Sequence, residues 1–246
     1  MKNTMTKIEN KGPEGGIDGL FTVARGKKVF FSKGHLQYQP STKTWRFAEH
    51  QTDLPTKDKD LDFGYDVKPN YKGWVDLFGW GTGIDPIGRP DDFDSRGGYR
   101  EWGENPILNG GNKPGLWRAL SSEEWDYMLY RRRTQSGIRF IRVTVGKVTG
   151  LILVPNDWDG DFEFNNPDDF GSEFSDDVIT KTQWKALEKE GMVFLPSGHP
   201  EAYMYWTSTR GVGREYGAAI VISESQLFLE DEAERYFDCI VRLVSK

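Results

Sequence analysis

Cysteine and histidine are both scarce in this chain of 246 residues, which has one Cys and three His. A single cysteine excludes an intrachain disulfide and any cysteine-based metal site. Cys239 lies in an apolar run, which is typical of a small core residue and not of a nucleophile. The histidines His35, His50 and His199 are scattered, and none has a second ligand at metal-binding spacing.

A block of basic residues is also absent. Lys and Arg total 32 against 38 Asp and Glu, so the net charge is −6. An acidic chain without a basic stripe lacks the electrostatic signature of a nucleic-acid-binding protein. The triplet Arg131 to Arg133 falls near the end of a predicted helix, where cations interact favourably with the helix dipole. We therefore expect no nucleic-acid partner.

Long apolar runs are missing as well. The first 16 residues contain no apolar stretch of the length that a signal peptide needs. No uninterrupted apolar run approaches the length of a membrane span, so we expect no membrane insertion. The localisation stays open between the cell interior, export by a route that this sequence does not encode (release within a virus particle, for example), and an export signal that has been removed.

Catalytic motifs are also absent from the sequence. The chain has no Gly-x-Ser-x-Gly elbow and no phosphate-binding loop. Gly79, Gly81 and Gly83 imitate a glycine-rich loop, but no helix is predicted to begin after them. A glycosidase needs a pair of opposed carboxylates, and with 38 acidic residues the sequence leaves that alternative open. We predict that the protein is not an enzyme.

Aromatic residues and glycine are abundant instead, with nine Trp, ten Tyr, fifteen Phe and 28 Gly. This combination favours short strands joined by tight, irregular loops. Residues 82–114 are predicted to form an ordered loop anchored by Tyr99, Trp102 and Ile107. Strands are predicted for residues 21–24, 28–32, 35–38, 44–48, 138–145, 151–154, 192–195, 203–207, 218–222, 226–229 and 237–244.

Two helices are predicted from capping boxes. Ser121 with Glu124 precedes one apolar helical face, and Thr180 with Gln183 precedes another, which Gly191 ends. Helices set among short antiparallel strands indicate an α+β fold. We interpret residues 1–19 as a flexible leader and 20–246 as a single domain, because no linker or composition break divides them.

A series of short motifs recurs in order from about residue 20 to the end of the chain and resembles a known group of proteins. The motifs are Val29-Phe-Phe-Ser-Lys-Gly-His-Leu-Gln-Tyr38, Thr44-Trp-Arg-Phe-Ala48, Trp74-Val-Asp-Leu-Phe-Gly-Trp-Gly-Thr82, Asn109-Gly-Gly111, Trp117-Arg-Ala-Leu-Ser-Ser-Glu-Glu-Trp125, Gly137-Ile-Arg139, Gly150-Leu-Ile-Leu-Val-Pro155 with Asp157-Trp158, Val193-Phe-Leu-Pro196, Tyr205-Trp-Thr-Ser-Thr209 and Val241-Arg-Leu-Val244. As a set they are specific, whereas any one of them alone is weak.

The set resembles the major paralogous domain group of surface proteins in gut Bacteroidetes. It is also similar to the C-type-lectin-like variable proteins of diversity-generating retroelements. This resemblance implies a C-type-lectin-like fold with short, mostly antiparallel strands, two helices and long ordered loops. It also implies ligand binding through a C-terminal stretch, here about residues 203–238. The chain departs from the family where Asp238, Cys239 and Ile240 replace the Gly and Ser that often precede the last motif.

The C-terminal stretch is rich in the residue types that dominate binding hot spots, four Tyr and three Arg within 34 positions. Strand alternation assigns Trp206 to the core and its neighbouring tyrosines to the exposed side. The alternative is that the tyrosines pack in a small aromatic core. The candidate ligand-binding residues are Tyr203, Tyr205, Arg210, Arg214, Tyr216, Arg235 and Tyr236.

These residues predict a recognition module, an adhesin or receptor-binding domain, for a glycan or a cell-surface protein. The alternative function is that of a structural subunit of a surface appendage or virion, without affinity for a small ligand. Such a subunit would expose a large apolar patch and self-associate.

An acidic segment offers a candidate calcium site. Residues 157–177 contain nine Asp or Glu and no Lys or Arg, and Asp157, Asp159 and Asp161 alternate as calcium ligands can. The segment is not an EF-hand, because its glycine stands at the fourth position and not at the sixth. The alternative is a solvated loop without a metal.

Overall fold

The computed structural model describes residues 10–55, 67–87, 98–165, 167–168, 178–197, 203–222 and 227–246. Within these ranges the chain has an α+β fold, with four small sheets and two short α-helices. The predicted fold class is therefore confirmed. No helix in the described ranges is long and apolar enough to cross a membrane.

A three-stranded sheet joins the two ends of the chain. Strand β1 (Phe21–Ala24) pairs with β2 (Lys27–Phe31), and β2 also pairs with the last strand, β14 (Val244–Ser245). Residues 10–19 belong to this folded unit, because Ile17 is buried and its amide donates to the carbonyl of Phe31. The predicted flexible leader is thus wrong for residues 10–19, and its residues 1–9 lie outside the described part.

Two antiparallel strands form a separate hairpin next to this sheet. Strands β3 (Leu36–Gln39) and β4 (Thr44–Phe47) pair in register from Leu36 with Phe47 to Gln39 with Thr44. The side chain of Asn109 extends the hairpin, since it donates to the carbonyl of Phe47 and accepts from its amide.

The other two sheets form the body of the protein. The four-stranded sheet has the order β8-β6-β7-β9, and the five-stranded sheet has the order β12-β11-β10-β13-β5. Their strands are β5 (Leu77–Phe78), β6 (Phe140–Val145), β7 (Val148–Leu153), β8 (Val178–Ile179), β9 (Val193–Pro196), β10 (Tyr203–Arg210), β11 (Tyr216–Ile222), β12 (Leu227–Glu234) and β13 (Cys239–Ile240).

Both predicted capping boxes are confirmed. Helix α1 (Ser122–Asp126) begins after Ser121, and a π-helical turn (Tyr127–Arg131) continues it. Helix α2 (Lys181–Lys189) begins after Thr180. In each box the hydroxyl accepts from the third backbone N–H, and the side chain of that third residue accepts from the cap amide.

Three apolar cores hold the sheets together. The first lies between the three-stranded sheet, α1 and one face of each large sheet. The second covers the opposite face of the five-stranded sheet with the β3–β4 hairpin and the loops around Trp80, Trp102 and Trp117. The third covers the opposite face of the four-stranded sheet with α2 and residues 158–164. The two large sheets are therefore buried on both faces.

Candidate ligand-binding face

The seven candidate residues do not share one environment. Arg210, Arg214 and Tyr236 are exposed, and Tyr203 and Tyr216 are half-buried. Tyr205 and Arg235, in contrast, are buried. The exposed members gather at one end of the five-stranded sheet, where the β10–β11 hairpin and the turn after β12 meet.

The hairpin tip (residues 211–215) presents an apolar side chain to solvent. Val212 is 84% exposed and stands between two glycines, of which Gly213 has φ +106°, a conformation that favours glycine. The amide of Val212 donates to a carboxylate oxygen of Glu232 on the neighbouring strand β12. The amide of Gly211 donates to the carbonyl of Tyr216 at 3.0 Å, which closes the hairpin. The tip is thus tied to the sheet while Val212 stays outside.

The turn that follows β12 (residues 235–238) lies beside this tip. The amide of Arg235 donates to the carbonyl of Glu215 at 2.9 Å, so the two loops are joined backbone to backbone. Beyond this bond the rings of Tyr236 and Phe237 stack with centroids 5.9 Å apart, and they are 40% and 49% exposed. We call Arg210, Val212, Arg214, Tyr216, Tyr236 and Phe237 the contact face.

Trp80 supports the contact face from the second core. Its amide donates to the carbonyl of Arg235 and its indole N–H to the carbonyl of Thr207, at 2.8 and 2.9 Å. The Arg235 guanidinium lies 5.0 Å from the centre of the indole ring, and the ring of Tyr99 packs against it at 4.8 Å. With its backbone N–H and its indole N–H both satisfied, the buried Trp80 holds the turn after β12 against strand β10, and that turn is bonded to the hairpin tip through Glu215.

The loop predicted to be anchored by aromatic residues does supply this support. Trp102 and Ile107 are fully buried, and Tyr99 packs against both Trp80 and Trp102. The Tyr99 hydroxyl donates to Glu101 at 3.0 Å, and burial raises the pKa of the Glu101 carboxyl. The anchoring of this loop is confirmed for its described residues.

The exposed position predicted for Tyr205 is wrong. Trp206 faces the second core as predicted, but the opposite side of the strand faces the first core and not solvent. Tyr205 is 1% exposed, its hydroxyl donates to the carbonyl of Pro196 at 2.7 Å, and burial raises its pKa. The alternative of an aromatic core therefore holds for Tyr205, because strand alternation gives a solvent side only when one face of a sheet is open.

Arg235 is also not available to a ligand. It is 5% exposed, and its guanidinium stacks over Trp80, with Nε 3.4 Å from the carbonyl of Tyr216. A guanidinium on a short strand end between an indole and a neighbouring backbone acts as a structural tie. Arg235 positions the contact face and is not part of it.

Two residues of the contact face are missing from the sequence-based list. The predicted strand 237–244 includes Phe237, but its amide donates to the carbonyl of Glu234 in a turn and its ring is exposed. The signal for Val212 is its position between two glycines at a hairpin tip, where no neighbouring strand covers a side chain.

The proposed calcium ligands do not converge. Asp157 accepts from the side chain of Asn10 at 2.6 Å, Asp159 is 3.4 Å from the Gln135 amide nitrogen, and Asp161 is exposed. Trp158, Phe162 and Phe164 pack in the third core, with the Trp158 and Phe164 rings 5.7 Å apart, whereas Asp159, Asp161 and Glu163 are exposed. No group of three metal-binding side chains occurs in the described ranges, and most of residues 166–177 fall outside them.

The remaining reactive side chains are buried or apart. His35 Nε2 lies 2.8 Å from Asp76 Oδ1, and both side chains are at most 3% exposed. His50 is exposed on the surface, and His199 lies outside the described residues. Cys239 is buried, and burial raises the pKa of its thiol well above the ordinary value, which confirms it as a core residue.

Comparisons of the whole chain with protein-family models, with curated proteins and with solved structures gave no match. The function is therefore assigned from the contact face and from the residues that support it.

Proposed function

We propose that this chain is a recognition module with a C-type-lectin-like fold, which binds a glycan or a protein on a cell surface through the contact face. The proposal extends the resemblance to the major paralogous domain group of Bacteroidetes and to retroelement variable proteins. It keeps the predicted C-terminal location and changes the residues. Tyr203, which packs against the first core, leaves the set with Tyr205 and Arg235, and Val212 and Phe237 join it.

The observation that carries the proposal is the exposure of three large apolar side chains on a firmly held base. Val212, Tyr236 and Phe237 are 84%, 40% and 49% exposed, at the ends of two loops that share a backbone hydrogen bond. Apolar and aromatic side chains grouped on a surface mark interaction sites more often than single exposed residues do.

The composition of the face suits a hot spot. Arg210 and Arg214 are exposed and stand two residues before and after Val212 in the chain, and aromatic and arginine side chains supply much of the energy at protein interfaces. Stacked aromatic rings also offer a flat apolar surface to a sugar ring. Because the Trp80 support already holds both loops, little conformational entropy is lost when a ligand binds.

The test is a quantitative binding screen against a defined panel of glycans and purified bacterial surface proteins. The double variant Val212→Asp with Phe237→Asp should weaken any binding that the native chain shows by about tenfold or more, since both changes fall on hot-spot positions. Val178→Asp is the matched control, because Val178 is an exposed valine (66%) on β8, in the other large sheet. Equal losses in both variants, or no loss in the double variant, would count against the proposal.

A further inference from the structure

Helix α2 carries a stripe of lysines on its outer side. Lys181, Lys185 and Lys189 are exposed and four residues apart, which places them on one face of the helix at intervals of about 6 Å. The buried residues of the helix, Trp184 and Leu187, face the third core instead. We call these three residues the lysine stripe.

The acidic residues of α2 do not neutralise the stripe. Glu188 accepts a hydrogen bond from Gln51, and Glu190 accepts one from the indole of Trp158 at 2.5 Å. No ion pair joins a lysine of the stripe to an acidic residue in the ranges that the structure describes. The first turn of the helix also contains no acidic residue. A cation there opposes the helix dipole, so helix stability does not explain Lys181.

A row of carboxylates lies in the same surface layer. Residues 158–164 cover the four-stranded sheet beside α2, with Trp158, Phe162 and Phe164 in the third core. The residues between them, Asp159, Asp161 and Glu163, are exposed. We call Asp159, Asp161 and Glu163 the acidic row.

The lysine stripe and the acidic row have opposite charge, and both lie on the outer side of the layer that forms the third core, where the Trp158 indole reaches Glu190 at the end of α2. A surface with a positive half beside a negative half is complementary to itself under a two-fold rotation, because each half then meets the opposite half of the second copy.

We propose that this outer layer is the dimer interface of the protein, in which the lysine stripe of one copy pairs with the acidic row of a second copy, and reciprocally. The contact face is not involved, so this proposal can be tested independently of the proposed function. A two-fold pair closes on itself, which distinguishes it from the open-ended assembly of an appendage subunit.

Salt dependence gives the first test, by sedimentation velocity of the native chain. The net charge of −6 repels a second copy, so association limited by that repulsion would grow when salt is added. Association through local ion pairs should depend on salt in the opposite direction. It should be strongest near 0.01 M ionic strength and weaken near 0.15 M, as the screening length falls from about 30 Å to about 8 Å.

Charge reversal gives the second test. The triple variants K181E/K185E/K189E and D159K/D161K/E163K should each associate at least about tenfold more weakly than the native chain, because like charges then face each other. An equimolar mixture of the two variants should associate again, since one interface half is restored. The matched control R25E/K27E/K28E changes three exposed cations around β2 and should associate as the native chain does.

The expected pattern is loss in each variant and recovery in the mixture. A native chain that stays monomeric at low salt, a mixture that does not associate, or a control that loses as much as K181E/K185E/K189E would overturn the proposal. Carbodiimide cross-linking of mixed light and heavy-isotope protein gives a readout without substitutions. It should join a lysine of the stripe to a carboxylate of the row between copies, and cross-links only within one copy would overturn it.

Discussion

The indole ring of Trp80 lies against the backbone of Gly217, so close that a Cβ atom at position 217 would stand 2.5 Å from two ring carbons. The contact joins the loop after β5 to strand β11, directly below the hairpin tip. It places Trp80 where its backbone amide reaches the carbonyl of Arg235 and its indole N–H reaches the carbonyl of Thr207. The position of the contact face therefore depends on a glycine in the middle of a sheet.

Replacing this glycine should destabilise the fold. Gly217→Ala should lower the free energy of unfolding by about 1–3 kcal/mol, because the added methyl group meets a buried ring that cannot move without breaking its hydrogen bonds. Urea unfolding measures the change. Combining it with Trp80→Ala, which removes both ring carbons that the methyl group would meet, should cost less than the sum of the single changes by about 1 kcal/mol. Strict additivity would show that the contact is not the cause.

Arg132 and Arg131 offer a matched pair of substitutions. The buried Arg132 guanidinium donates to the carbonyls of Met128 and Arg139 and to the Asn156 side chain. Arg131 is 68% exposed and pairs with Asp126. Arg132→Ala should lower the free energy of unfolding by about 2–4 kcal/mol, since three acceptors lose their donors. Arg131→Ala should change it by about 0.5 kcal/mol. Similar values for both variants in thermal or urea unfolding would contradict the described geometry.

Tyr205 predicts a pH dependence of stability. Burial raises the pKa of its phenol in the folded chain, whereas an unfolded tyrosine ionises near pH 10. Above that pH the unfolded state loses a proton that the folded state keeps. The contribution is thus complete below about pH 10 and falls by about 1.4 kcal/mol for each further pH unit.

Comparison with Tyr205→Phe isolates this contribution. Near pH 8 the native chain should be more stable by about 1 kcal/mol, because the variant lacks the hydrogen bond to Pro196. Near pH 11 this advantage should be gone, since the phenylalanine has no proton to lose. Urea unfolding at both pH values measures it, and a pH-independent difference would mean that Tyr205 titrates normally when folded.

Asp157, Asp159 and Asp161 should not hold a calcium ion that stabilises the fold. No group of three metal-binding side chains occurs among the residues that the structure describes, and carboxylates that do not converge cannot supply the six to eight oxygen ligands that calcium takes. The melting temperature should be the same with calcium and with a chelator. A rise of several degrees with calcium would show that a site forms nonetheless.

Local sequence signals predicted the elements well. Ser121 with Glu124 and Thr180 with Gln183 mark the true helix starts, because a capping box depends only on neighbouring residues. The predicted strands 138–145 and 151–154 are observed as β6 and β7, which pair antiparallel. The π-helical turn after α1 was not predicted. There the Arg132 amide donates to the carbonyl of Tyr127, a backbone bond that residue types alone do not reveal.

The candidate site was predicted only in part, and the errors have a common cause. Strand alternation predicts an exposed Tyr205 only if one face of the sheet is open, and residue type alone makes Arg235 a candidate. Whether a strand is covered on one face or both depends on residues far away in sequence, here the first core and Trp80. The outward turn of Phe237 depends likewise on where β12 ends.

The most direct test of the account is hydroxyl-radical footprinting of the chain with and without the tightest binder from the glycan and protein panel. The account predicts that binding protects Tyr236 and Phe237, while the oxidation of Tyr205 and Trp206, both 1% exposed, stays equally low in the two states. Protection confined to other surfaces, with Tyr236 and Phe237 oxidised as before, would contradict it.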